Sequence, residues 1–197
     1  MMANSRSIYL VLDMENDLVH DDGPNGTSEL GNQVRTRGIL ARTSKAIAQA
    51  RAAGLPIGFV TVGFKTGYPE CPAGSPLFAG APKHGLFQLG AWGTEVHPDL
   101  DRQPGDLDIV KHRVSPFYAT TLEAQLRAQK IERIYCSGVS TQAVVQATVR
   151  DGHDRDYEMI VLEDACAAHS AQEHVNSIDS LRLFCKITTT DEVVFER

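Results

Sequence analysis

S-G-V-S-T-Q-A-V-V-Q-A-T, residues Ser137 to Thr148, joins a short apolar run, Ile134 to Cys136, to what reads as the start of a helix. A strand that turns through a glycine into a helix leaves several backbone N–H groups unpaired and aimed at one point, where negative charge is stabilised. The stretch therefore predicts an α/β fold with its chemistry at this turn. Yet the first helical turn, where a reactive side chain would be best placed, holds Val144.

The flanking sequence repeats the strand–helix alternation. Upstream, Ile8 to Leu12 is a nearly continuous apolar run ending on Asp13, the pattern of a strand buried on both faces. Helical spacing of apolar residues follows from about Gly31 to Ala53, closed by Gly54 and Pro56. Ile57 to Val62 reads as a second strand and Leu107 to Val110, ending on Lys111, as a third. Between them, Gly63 to Pro104 is irregular, and a connection that long is commonly a wall or lid over a site. Thr120 to Glu123 has capping-box spacing and opens a helix to about Gln129. Arg133 to Cys136 is the fourth strand, with a helix from Ser140 to Asp151. Tyr157 to Leu162 is the fifth, ending on Glu163 and Asp164, the latter expected to make structural hydrogen bonds to the turn. Ser170 to Glu173 caps a last helix to about Leu183, and Lys186 to Thr189 is an edge strand. This order predicts one domain, residues 1–197, built as three α/β/α layers around a mostly parallel six-stranded, Rossmann-like sheet. Ligands bind outside the carboxyl ends of such strands, where Asp13, Lys111, the Gly138 turn and Asp164 all fall.

Composition narrows the partners. The 197 residues, 42% hydrophobic, suffice for one sizeable core. A formal charge of -6 without a Lys/Arg cluster argues against nucleic acid and anionic membranes. A small-molecule substrate is the expected partner. Cys71, Cys136, Cys166 and Cys185 are widely spaced without a CxxC pair, which suggests reduced thiols and a cytoplasmic location. The N-terminus has no apolar h-region, and no run of 18 apolar residues occurs.

Four ordered segments resemble the isochorismatase-like, or cysteine hydrolase, superfamily over nearly the whole chain. V-L-D-M-E-N-D-L-V (Val11 to Val19) is similar to the family's first strand and its aspartate. D-I-V-K-H-R-V-S-P-F-Y-A-T-T-L-E (Asp108 to Glu123) resembles its lysine segment. G-V-S-T-Q-A-V-V-Q-A-T (Gly138 to Thr148) resembles its nucleophile turn, and L-E-D-A-C-A-A-H-S (Leu162 to Ser170) the stretch after its fifth strand. The resemblance implies catalytic roles for Asp13 and Lys111, and a turn (Gly138, Val139, Ser140, Thr141, Ala143) that binds an oxyanion, with a non-proline cis peptide around Val139-Ser140. It also implies a homodimer or homotetramer. In amidase members the nucleophile is a cysteine, which by counting from the glycine would fall on Val144.

Valine has no lone pair or titratable proton, so a covalent thioester route cannot pass through this position. The family also includes isochorismatases with a non-nucleophilic residue there, usually glycine, whose aspartate protonates a vinyl ether. Valine is larger by three carbons and would raise the pocket floor. Three readings stand open: a non-covalent, Asp13-dependent hydrolase, including vinyl-ether hydrolysis; a catalytically silent binder of a metabolite or protein; and a C–N amidohydrolase whose cysteine has been replaced by Val144. Arg113 could bind a substrate carboxylate bidentately or lie at the surface. Trp92, Phe64, Phe87, Phe117 and Tyr118 are candidates for an apolar pocket or for the core. Thr141, three residues before Val144, shares its helix face, and with Ser140 is either a cap or a substitute nucleophile lacking an evident histidine. Metal-binding relatives such as nicotinamidases carry an Asp and two His after the second strand. Here that place reads Val62-Gly63-Phe64-Lys65-Thr66, so neither metal nor cofactor is expected.

Overall fold

In the segment Ile8 to Leu12, successive side chains alternate between two apolar clusters, Ile8, Leu10 and Leu12 in one and Tyr9 and Val11 in the other, all without exposure. A strand buried on both faces needs helices on both sides. The computed structural model, which describes residues 6–197, supplies them. Six strands, β1 (Arg6–Leu12), β2 (Ile57–Val62), β3 (Leu107–Lys111), β4 (Ile131–Val139), β5 (Glu158–Ala167) and β6 (Lys186–Thr188), form one sheet in the order β3-β2-β1-β4-β5-β6. Every pairing is parallel. The helices are α1 (Asn16–Val19), α2 (Glu29–Thr36), α3 (Ile39–Ala52), α4 (Ala81–His84), α5 (Leu122–Ala128), α6 (Gln146–His153) and α7 (Ala171–Leu181), with a π turn at Thr141–Val145. Leu30, Val34, Ile39 and Ile47 bring α2 and α3 onto the Tyr9 face. Leu122, Leu126, Val149, Ile178 and Leu181 bring α5, α6 and α7 onto the Ile8 face. The three-layer α/β/α architecture is the one expected.

The differences from the sequence pattern are local. The helix expected over Gly31 to Ala53 is two helices, broken at Gly38, whose φ of +63° needs a glycine more than its neighbours need helix. Apolar period survives the break because α2 and α3 cover the same face. β4 and β5 run past their apolar stretches, to Val139 and Ala167, because Gly138 pairs with Cys166 after a shift in register. The T-x-x-E spacing at Thr120 does not form a capping box. Thr120 Oγ1 accepts from the Leu122 amide, while Glu123 bridges to Arg127 and Arg155. Ser170 does cap α7, accepting from the Glu173 amide at 3.2 Å. Asp164 does not bond the turn: its carboxylate takes the Thr190 amide and hydroxyl and Arg42, tying the C-terminal segment to β5.

Gly138 marks the closest approach in the sheet. It lies opposite Leu12 with φ of +143°, and a Cβ there would sit 1.9 Å from the Leu12 carbonyl oxygen. Gly138→Ala should therefore cost about 3 kcal/mol or more. For a chain of this size that lowers the thermal midpoint by about 6–12 °C. A midpoint unchanged within error would show that β1 and β4 do not approach this closely.

Candidate active site

Parallel strands place every carboxyl end on one side of the sheet, so residues far apart in sequence converge there. Asp13 follows the last residue of β1, with its amide on the Val60 carbonyl at 2.8 Å. Its φ of +54° is in the left-handed region, which aspartate tolerates better than most residues. Lys111 ends β3, two strands away. Its ammonium spans the end of β2 to reach Asp13 Oδ2 at 2.9 Å, and the two residues are only 2% and 6% exposed. Among the described residues Asp13 Oδ1 is buried without a partner. Burial raises the Asp13 carboxyl above its usual range, opposed by the charge and hydrogen bond of Lys111.

A cavity of about 210 Å³ lies over this pair, with Val139, Ser140, Ala143 and Val144 of the turn on its wall. Among the described residues the Ser140 hydroxyl carries no hydrogen bond. Val144 thus shares the cavity with Asp13 and Lys111, its side chain 1% exposed and continuous with the core below. The Val139-Ser140 peptide is cis. Not every turn residue serves the cavity. Gly138 lies behind it in β4, and the Ala143 amide is taken by the Ser140 carbonyl at 3.1 Å. Thr141, expected on the Val144 face, instead turns inward to His174 Nδ1 at 2.9 Å, because the π turn widens the spacing on which the i, i+3 expectation rests. His174 Nε2 lies 3.0 Å from Glu163, and Arg37 bonds Glu163, His174 and the Cys166 carbonyl. The histidine that the sequence did not show beside Thr141 comes from α7, and the whole group is packed away from the cavity.

Of the remaining candidates, the structure keeps five out of the lining. Arg113 donates to the carbonyls of Glu70 and His112. Phe117 stacks on Tyr157 in the core, and Tyr118 is 60% exposed. Trp92 packs edge-on against His20, 46% exposed. Phe64 is fully buried beneath Phe78, in contact with His112. The aromatics that do line the cavity are Phe78 and Phe87, joined by Leu18, Leu30 and Val114. Sequence reading also passed over Glu15 and Asp17, though D-M-E-N-D places three acids at alternate positions after β1. Glu15 Oε2 accepts from the Val62 amide at 2.9 Å and Asp17 Oδ2 from the Phe87 amide at 2.6 Å, so both fasten cavity-lining segments from behind. Glu15 Oε1 has no partner among the described residues.

Residues 7–192 match the Isochorismatase domain. The chain is 35% identical over 144 residues to the uncharacterized isochorismatase family protein YecD of Escherichia coli O157:H7, spanning 73% of this chain and 74% of that one. It is 33% identical over 172 residues to the ureidoacrylate amidohydrolase RutB of Methylorubrum extorquens, spanning 81% and 68%. Among solved structures, N-carbamoylsarcosine amidase from Thermoplasma acidophilum superposes with a TM-score of 0.76 at 28% identity, over 96% of this chain and 99% of that one.

Burial, reinforced by the Asp13 charge, pushes the Glu15 carboxyl well above its usual range, against Lys111 and the Val62 amide. A carboxyl whose folded pKa is raised contributes stability that is fully present below its unfolded pKa and lost as pH climbs through the folded value. Glu15→Gln removes this dependence and keeps an acceptor for Val62. Relative to the parent, the variant should gain stability in denaturant titrations as pH rises above the ordinary carboxylate range. A stability difference that stays flat above that range would mean that Glu15 titrates normally.

Proposed function

The chain belongs to the isochorismatase family of hydrolases, and we propose that it hydrolyses a small metabolite by a non-covalent route in which Asp13 moves the proton. The observation that carries this reading is the cavity-lining Asp13 carboxyl, with one oxygen on Lys111 and the other unpartnered, beside an inert Val144. A raised pKa keeps the acid form accessible closer to neutrality, as a general acid requires. Vinyl-ether hydrolysis suits these parts. Asp13 gives its proton to the terminal carbon of the double bond, and water adds to the oxygen-bearing carbon. The water's proton returns to Asp13, and the hemiketal breaks down to a carbonyl compound and an alcohol. No side-chain nucleophile is needed at any step. Lys111 fixes the carboxyl and stabilises the carboxylate left after proton transfer.

The amidohydrolase activity of the RutB and N-carbamoylsarcosine amidase relatives supports a second reading, a C–N amidohydrolase scaffold with Val144 in the cysteine's place. The two readings separate by mutation. On enol ethers small enough for the cavity, Asp13→Asn should reduce turnover by about 10²-fold or more. The parent's rate should fall as pH rises through the raised Asp13 pKa, since the acid form is consumed. Full activity of the Asn variant would end the Asp-dependent reading. Val144→Cys assayed on small amides reports on the other: a large gain supports the amidohydrolase scaffold, and no gain supports a pocket adapted to other chemistry.

A further inference from the structure

The walls of the cavity carry information about charge that the family does not. Apolar side chains make up eleven of its sixteen lining residues, among them Leu30, Phe78, Phe87 and Val114. Lys111 is the single lysine or arginine in the lining, and its ammonium is already committed to Asp13 at 2.9 Å. The nearby arginine suited to a carboxylate, Arg113, donates through Nη1 to two backbone carbonyls and does not line the cavity. Behind the walls stand two further acids: Glu15 on the Val62 amide and Asp17 on the Phe87 amide. At the mouth, the exposed His169 is bonded through Nδ1 to Gln142. The Asn25 side-chain nitrogen is on the Asp17 carbonyl, which leaves Asn25 and Ser140 as neutral hydrogen-bonding groups.

A carboxylate entering this space would lose its water, find no lysine or arginine among the described lining residues except the paired Lys111, and face Asp13. An ion buried without a partner is among the costliest arrangements in a protein. A neutral molecule meets no such cost and gains from the apolar walls. The size is small as well. The cavity's volume of about 210 Å³ lies below the roughly 300 Å³ at which drug-sized sites begin.

We propose that this site selects an uncharged, largely apolar small molecule and discriminates against carboxylates, the polar atoms of its ligand meeting the Asp13 carboxyl and the Ser140 hydroxyl. This rests on the same cavity being the substrate site. It narrows the substrate class away from carboxylates such as the ureidoacrylate of the RutB relative.

Matched pairs differing only in charge test it. Benzamide against benzoate, and isobutyramide against isobutyrate, are titrated into the full-length protein by calorimetry in mildly alkaline buffer. The expected result is that each amide binds at least about tenfold more tightly than its carboxylate. Val114→Arg puts an unpaired cation on the half-buried wall and should reverse the order for benzoate, with circular dichroism and thermal unfolding verifying the fold. Equal or tighter binding of either carboxylate to the parent overturns the proposal, as does failure of both amides to bind at millimolar concentration. An unchanged order in a folded Val114→Arg protein overturns it too, since binding then lies elsewhere. Because only binding is read, charge selection can hold even where Asp13→Asn leaves turnover intact, and the two claims fail separately.

Discussion

Two opposite charges, the Asp13 carboxylate and the Lys111 ammonium, lie 2.9 Å apart under almost complete burial at the end of the sheet. Such a pair is weak evidence for stability, because its mutual attraction must first repay the loss of water around both ions. Removing either partner leaves the other charge stranded, at a cost of about 3–5 kcal/mol. The surrounding structure follows from that constraint. β2 lies between the two parent strands, and its Val62 amide is held by Glu15 rather than exposed to compete for Asp13. Asp17 holds the Phe87 amide, so the long irregular connection after β2 closes over the pair instead of leaving it open to solvent.

The turn after β4 is equally well supported, but for other reasons. Thr141, His174, Glu163 and Arg37 form a chain from the start of the π turn through α7 and β5 to the end of α2. Each buried polar atom in that chain has a partner, which fixes the turn relative to both helical layers. A threonine, a histidine and a glutamate in hydrogen-bond contact have the chemistry of a nucleophilic triad. Here Thr141 is wholly buried and outside the cavity lining, so the same contacts hold the backbone of the turn in place.

Val144 acquires its meaning between these two supports. It belongs both to the cavity wall and to the core cluster with Val145, Val149 and Cys136. The larger side chain has not filled the space over Asp13, and about 210 Å³ remains. The site thus keeps a carboxyl with a raised pKa, a lysine and an apolar chamber, in a family whose relatives include amidohydrolases.

The apolar runs ending on Asp13 and Lys111, the glycine before the turn, and the strand–helix alternation were legible in the sequence because burial on both faces of a parallel sheet leaves continuous apolar stretches and puts polar residues at strand ends. The same alternation determined the three layers and the number of strands. The cavity wall was not legible. Phe64, Phe117 and Phe78 are chemically alike, and only packing against non-local neighbours decides that Phe78 lines the chamber while the other two do not. Arg113 was open between a carboxylate ligand and a surface residue, and the fold instead sets its Nη1 on two carbonyls, one from its own segment and one from a distant one. Thr141 was placed on the Val144 face by ideal helical spacing, which the π turn does not keep. Local pattern sets which residues reach the end of a strand, because it reports burial along one element. Which side chains then meet there depends on contacts between segments tens of residues apart, and those exist only in the folded chain.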